Sequence, residues 1–150
     1  ELRQILELCA ATESGALQER VLIKRLKGLE DSSRYWSVCM VAEHLRIVNS
    51  MVKDVMLTLA KGVTPPMVAS TAAVKPSPES GLASIGGFES ATRELLAATA
   101  KLETLETKAR FAHPWFGPLT ALEWYAMVGF HMRLHRKQML RILRTMERGV

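Results

Sequence analysis

Cysteine, aromatic residues and long apolar runs are all scarce in this chain, and each scarcity excludes a class of protein. Cys9 and Cys39 are the only two cysteines and no CxxC spacing occurs. That is too few for a disulfide framework, and reduced thiols in a cytoplasmic protein fit such usage. Aromatic residues make up 6% of the chain, so Leu, Ala, Met and Val supply most of its apolar content. These residues favour helices over sheets. No apolar run reaches the roughly 20 residues of a membrane span, and no charged-then-apolar leader opens the sequence. Nor does any pair of alternating runs carry hairpin punctuation, so no strand pair is expected.

The 150 residues suit a single domain spanning 1–150. A domain of that size buries roughly 70% of its unfolded surface, so one core suffices without covalent staples. The net charge is +5, with Arg133, Arg136, Lys137, Arg141, Arg144 and Arg148 clustered near the end. Nucleic-acid binding is one reading of this cluster. A solvated outer helix face is the preferred one, because no aromatic residues interleave as a single-strand platform requires.

Apolar periodicity predicts four helices. The first spans about Leu2 to Leu29, with Ser14-Gly15 as a candidate interruption. The second spans about Arg34 to Lys61, with Asp31, Ser32 or Ser33 as N-cap and Gly62 as stop signal. Residues 62–83 contain Pro65, Pro66, Pro76 and Pro78 and no period, which reads as a long crossover or partly mobile loop. The third helix spans about Ser84 or Gly87 to Thr107, and Pro114, Gly117 and Pro118 break the chain after it. Thr120 and Glu123 form a capping box that opens a fourth helix, running to about Arg148. Four helices with one long connection between the second and third predict an all-α four-helix bundle.

The chain has four histidines: His44, His113, His131 and His135. The four-residue spacing of His131 and His135 stacks both rings on one helix face, close enough to share an ion. Trp124, Val128, Gln138, Met139 and Ile142 share that face, so the pair points into the core, where a charged imidazolium is expensive. His44 lies mid-stripe on the second helix, among Ser37, Met40, Val41, Val48, Met51, Val55 and Leu59. A lone HxxxH pair is a weak signal, and a lone buried histidine is more often a hydrogen-bonded core residue. Three inward-facing histidines in one small bundle are different, because convergence on a cation resolves their burial. Neutral imidazoles suit zinc, nickel or ferrous iron, and three of them leave a coordination position open.

His113 precedes Pro114 beside Trp115 and Phe116. It is a candidate fourth ligand or substrate contact, with loop anchoring preferred. Trp36 and Trp124 are pocket candidates that read more simply as core. Cys39 lies about 140° from His44 on the wheel, which excludes it as a co-ligand or a nucleophile paired with that histidine. No Asp or Glu faces the site on the helical wheels, so no general base is assigned.

The stretch from Trp36-Ser37 to His44-Leu45 resembles the "WS…HL" motif of DinB-like proteins, and His131 to Gln138 resembles their closing "HxxxHxxQ". His113 to Thr120, followed by Trp124, resembles one branch carrying "HPxFGxLT…W". The likeness covers roughly residues 17–145. Leu134 stands where that branch has the first histidine of an HH doublet. The resemblance implies a four-helix bundle in which His44, His131 and His135 hold zinc, nickel or iron. It also implies a homodimer, and a low-molecular-weight thiol activated for S-transfer or thiol-dependent isomerisation of a small molecule. From the open metal position alone, activation of water for hydrolysis is an equal expectation. The alternative is a stress-response or binding module whose metal is structural or vestigial.

Overall fold

A computed structural model describes residues 1–147. Its helices are α1 (Leu2–Ala10), α2 (Ser14–Gln18), α3 (Val38–Ala60), α4 (Ala83–Thr99) and α5 (Ala121–Glu147). A hairpin of β1 (Phe111–His113) and β2 (Gly117–Leu119) lies between α4 and α5. Helices α1, α3, α4 and α5 form the expected four-helix bundle, with a long crossover joining α3 to α4. Among the described residues, no helix is long and apolar enough to cross a membrane.

α3 is the central helix. It packs against both α4 and α5, so its buried face is wider than a single stripe and includes Cys39, Leu45, Asn49, Val52 and Met56. Asn49 is fully buried, and its amide donates to Thr92 Oγ1 at 2.8 Å, linking α3 to α4. The capping box at α5 is formed: Glu123 N donates to Thr120 Oγ1, and Glu123 Oε2 accepts from Thr120 N at 2.7 Å. The expected end of this helix at Arg148 lies outside the described residues. Arg133, Lys137, Arg141 and Arg144 are exposed on α5, and Arg136 pairs with Glu1 at 2.7 Å.

Four boundaries differ from the sequence reading. The first expected helix ends at Ala10, and after the single turn of α2 the chain runs extended. Tertiary bonds override local helix propensity there. Ile23 N donates to Arg34 O, Arg34 Nε donates back to Ile23 O, and Arg20 Nε donates to Tyr35 O. Gly28 turns the chain with φ 92°, a left-handed conformation open to glycine. Second, α3 is capped by Ser37, whose side chain accepts Met40 N at 3.1 Å, while Asp31–Ser33 form a separate 3₁₀ turn. Third, α4 stops at Thr99 rather than Thr107. Beyond it, Thr104 Oγ1 accepts Glu106 N, and the Thr107 hydroxyl binds Ala109 O and Ala121 N, so side chains compete for the backbone. Fourth, the β-hairpin was not expected. Its three-residue strands are too short to show alternation, and Gly117 at φ 71° closes the turn.

Candidate metal centre

The polar residues at the α3–α5 contact converge on one point. His44 Nε2 lies 3.2 Å from His131 Nε2, and His135 Nε2 lies 3.1 Å from the same atom. All three potential ligand atoms fall within 4.8 Å of one another. His44 and His135 are buried.

Hydrogen bonds on the far side of the His44 and His135 rings determine which nitrogen carries the proton. His44 Nδ1 is 2.7 Å from the Val74 carbonyl, which can only accept, so the proton is on Nδ1 and a lone pair remains on Nε2. The fully buried Gln138 donates Nε2 to the Ser33 carbonyl at 2.8 Å, which turns its Oε1 toward His135 Nδ1 at 2.7 Å. His135 therefore also presents an Nε2 lone pair. His131 can place at most one proton between these two acceptors, and its own Nδ1 is buried without a partner among the described residues. A cation satisfies all three lone pairs where a proton cannot. Tetrahedral coordination at about 2.0–2.1 Å separates two imidazole nitrogens by roughly 3.3 Å, close to the spacing found. The donor set therefore fits a divalent metal.

Electrostatics keep these rings neutral. Burial, reinforced by the neighbouring His44 and His113 rings, pushes His131 down to about 3. Burial, then the charges of His131 and His44, drives His135 well below the ordinary imidazole value. Burial also lowers His44, opposed by the Val74 carbonyl and by the charge of Glu30. Neutral imidazoles are the form a metal requires.

The cluster opens into a cavity of about 160 Å³. One wall is the connection before α3, with Gly28, Glu30, Ser33 and Trp36. The crossover adds Ala69, Ser70, Thr71, Val74 and Lys75, so it covers the site through the same turn that holds His44. Met127 and Leu134 come from α5, and the hairpin turn adds His113, Trp115 and Phe116.

Residues 6–139 match the family model of the DinB superfamily. The chain belongs to that superfamily. No curated protein matches it. The crystal structure of TT2238, a four-helix bundle protein, is similar to this DinB-superfamily chain with a TM-score of 0.60 and 22% identity. The likeness covers 91% of this chain and 88% of that one, and it is a likeness of fold.

Within this DinB-superfamily fold, the histidines chosen from the helical wheels come together and His113 stays outside the cluster. His113 is a loop anchor: its Nδ1 accepts the amides of Trp115 at 3.1 Å and Phe116 at 3.4 Å, and its ring stacks on Phe116. Trp36 and Trp124 are buried and also line the cavity. Cys39 is fully buried, and burial raises its thiol pKa. Sequence reading missed Glu30, the one carboxylate among the described residues lining the cavity, because it lies on a loop that no wheel addresses. Ser33 and Val74 contribute through backbone carbonyls, which leave no signature in residue type. Gln138 was visible on the histidine face, but its task as a bridge was not.

Proposed function

We propose that this DinB-superfamily chain is a metal-dependent enzyme in which His44, His131 and His135 hold one divalent cation, zinc, nickel or iron, through their Nε2 atoms. The observation that carries the reading is His131 Nε2 lying 3.1–3.2 Å from the Nε2 atoms of both His44 and His135, with lone pairs that one proton cannot satisfy, facing a cavity. A bound cation supplies Lewis acidity there, favouring ionisation of a thiol or water at the position the histidines leave open.

The chain's own groups do the rest. The Ser33 carbonyl and Gln138 amide hold the His135 ring in one tautomer, and the Val74 carbonyl does the same for His44. The walls restrict water. Glu30, the carboxylate on the cavity wall, would take up a proton released by an ionising nucleophile. The reaction class is S-transfer, thiol-dependent isomerisation or hydrolysis of a small molecule. A low-molecular-weight thiol as co-substrate, a homodimer and a cytoplasmic setting complete the reading. The alternative of a closed structural site calls for a fourth protein ligand. His113 lies outside the three-histidine group, and its Nδ1 accepts two amides of the hairpin turn.

The test is elemental analysis of protein purified without metal affinity, beside a His135→Ala variant, followed by turnover assays with thiols and electrophiles. The expected result is about one equivalent of metal per chain, lost in the variant, and turnover that depends on it. Full metal loading with no turnover across several thiols, electrophiles and esters would refute the enzymatic reading.

A further inference from the structure

The walls of the cavity restrict what can approach the three histidines. Trp36, Val48 and Met51 line it from α3 and the segment before it and Met127 from α5, and two further lining residues, Trp115 and Phe130, are 54% and 63% exposed. Exposed aromatics beside an apolar cavity mark a binding surface rather than a core. An apolar cavity of roughly 150 Å³ takes a guest the size of benzene. This one measures about 160 Å³.

Beside the three histidines, its polar lining is Glu30, Ser33, Ser70, Thr71, Lys75 and His113; the Ser33 hydroxyl donates to Glu30 O and the Ser70 hydroxyl accepts Ala72 N. Lys75 is exposed, and Glu30 stands near His44, close enough to favour its charged form. His113 adds one donor: its Nδ1 accepts two backbone amides, so the ring proton is on Nε2, which has no partner among the described residues. A thiol carrying several hydroxyls or charges would lose hydration against these walls without replacement hydrogen bonds.

We propose that the thiol this site takes has a ring-sized apolar body, its sulfur toward the three Nε2 atoms and its ring between Trp36 and Met127. The proposal rests on the metal-and-thiol reading above and narrows it to apolar rather than sugar-like or peptide-like thiols. His113 Nε2–H is a directional contact for an acceptor atom on that ring or on the electrophile.

The protein loaded with cobalt(II) tests this through the charge-transfer absorption that appears when a thiolate binds cobalt. Benzyl mercaptan, 2-mercaptoethanol and glutathione are titrated against the wild type and a Met127→Gln variant. Benzyl mercaptan is expected to bind about 10- to 100-fold more tightly than 2-mercaptoethanol, the range that burying one phenyl group produces. Glutathione is expected to bind no better than 2-mercaptoethanol. Met127→Gln should reduce the benzyl preference over 2-mercaptoethanol at least threefold. Equal affinities for the two small thiols, tighter binding of glutathione, or an unaltered preference in Met127→Gln overturns this inference while the metal-and-thiol reading stands. No absorption band with any thiol overturns both.

Discussion

Replacing Gln138 tests how far the metal centre depends on its supports. Gln138→Met keeps side-chain volume and helix propensity, so packing changes little. It deletes two buried hydrogen bonds at once, from His135 Nδ1 at 2.7 Å and to the Ser33 carbonyl at 2.8 Å. Each group left unsatisfied costs about 1–3 kcal/mol. A combined loss of about 3 kcal/mol lowers the melting temperature of a chain this size by roughly 6–12 °C. His135 also loses the bond that selects its tautomer, which lowers metal affinity about 10- to 100-fold. Thermal melts in chelator measure the first effect, and competition with a chromophoric zinc chelator measures the second. Gln138→Glu separates the two. Its carboxylate still accepts from His135 but faces the Ser33 carbonyl with no proton to donate. Metal affinity is therefore expected to hold while the metal-free melting temperature falls. If Gln138→Met changes neither quantity, the tautomer assignment at His135 is wrong and the three-lone-pair reasoning fails with it.

Three further outcomes follow from local features. The buried histidines have native pKa values below their unfolded value of 6.5, so the unfolded chain binds more protons at low pH. Metal-free stability is then complete above pH 6.5 and falls as pH drops toward about 3, with His131 alone contributing of order 4 kcal/mol over that window; urea unfolding at pH 7 and pH 4 checks this, and equal midpoints would contradict it. Thr120→Ala removes the cap of α5 and should cost about 1 kcal/mol in the same urea assay, with metal content unchanged. Cys9 and Cys39 are both buried, and burial raises the Cys9 thiol to about 11; a thiol-reactive dye should label neither in the native protein and both in denaturant.

Much of the bundle and the centre was legible in residue order. The capping box at Thr120 and Glu123 and the stripe around His44 are local patterns with fixed geometry, and they placed the histidines on inward faces. The four-residue spacing of His131 and His135 needs nothing beyond the helical period to bring their Nε2 atoms to 3.1 Å. Other features depend on partners distant in sequence. Residues 19–26 carry helical periodicity yet form no helix, because Ile23 and Arg34 bond each other. That departure from propensity gives the cavity its wall of Gly28, Glu30, Ser33 and Trp36. The hairpin at 111–119 was invisible because three-residue strands show no period, yet it turns His113 into an anchor and brings Trp115 to the cavity.

The order of residues by itself determined the helical class, the inward faces of α3 and α5 and the identity of the three histidines, since each follows from the 100° step between neighbours. Only the tertiary structure decided what orients those rings and what encloses them. The Val74 carbonyl meets His44, the Ser33 carbonyl holds the Gln138 amide that orients His135, and Glu30 lines the cavity, all through the tertiary packing of connections against α3 and α5. Such bonds join residues about 30 to 105 positions apart, a separation that no short-period pattern can encode.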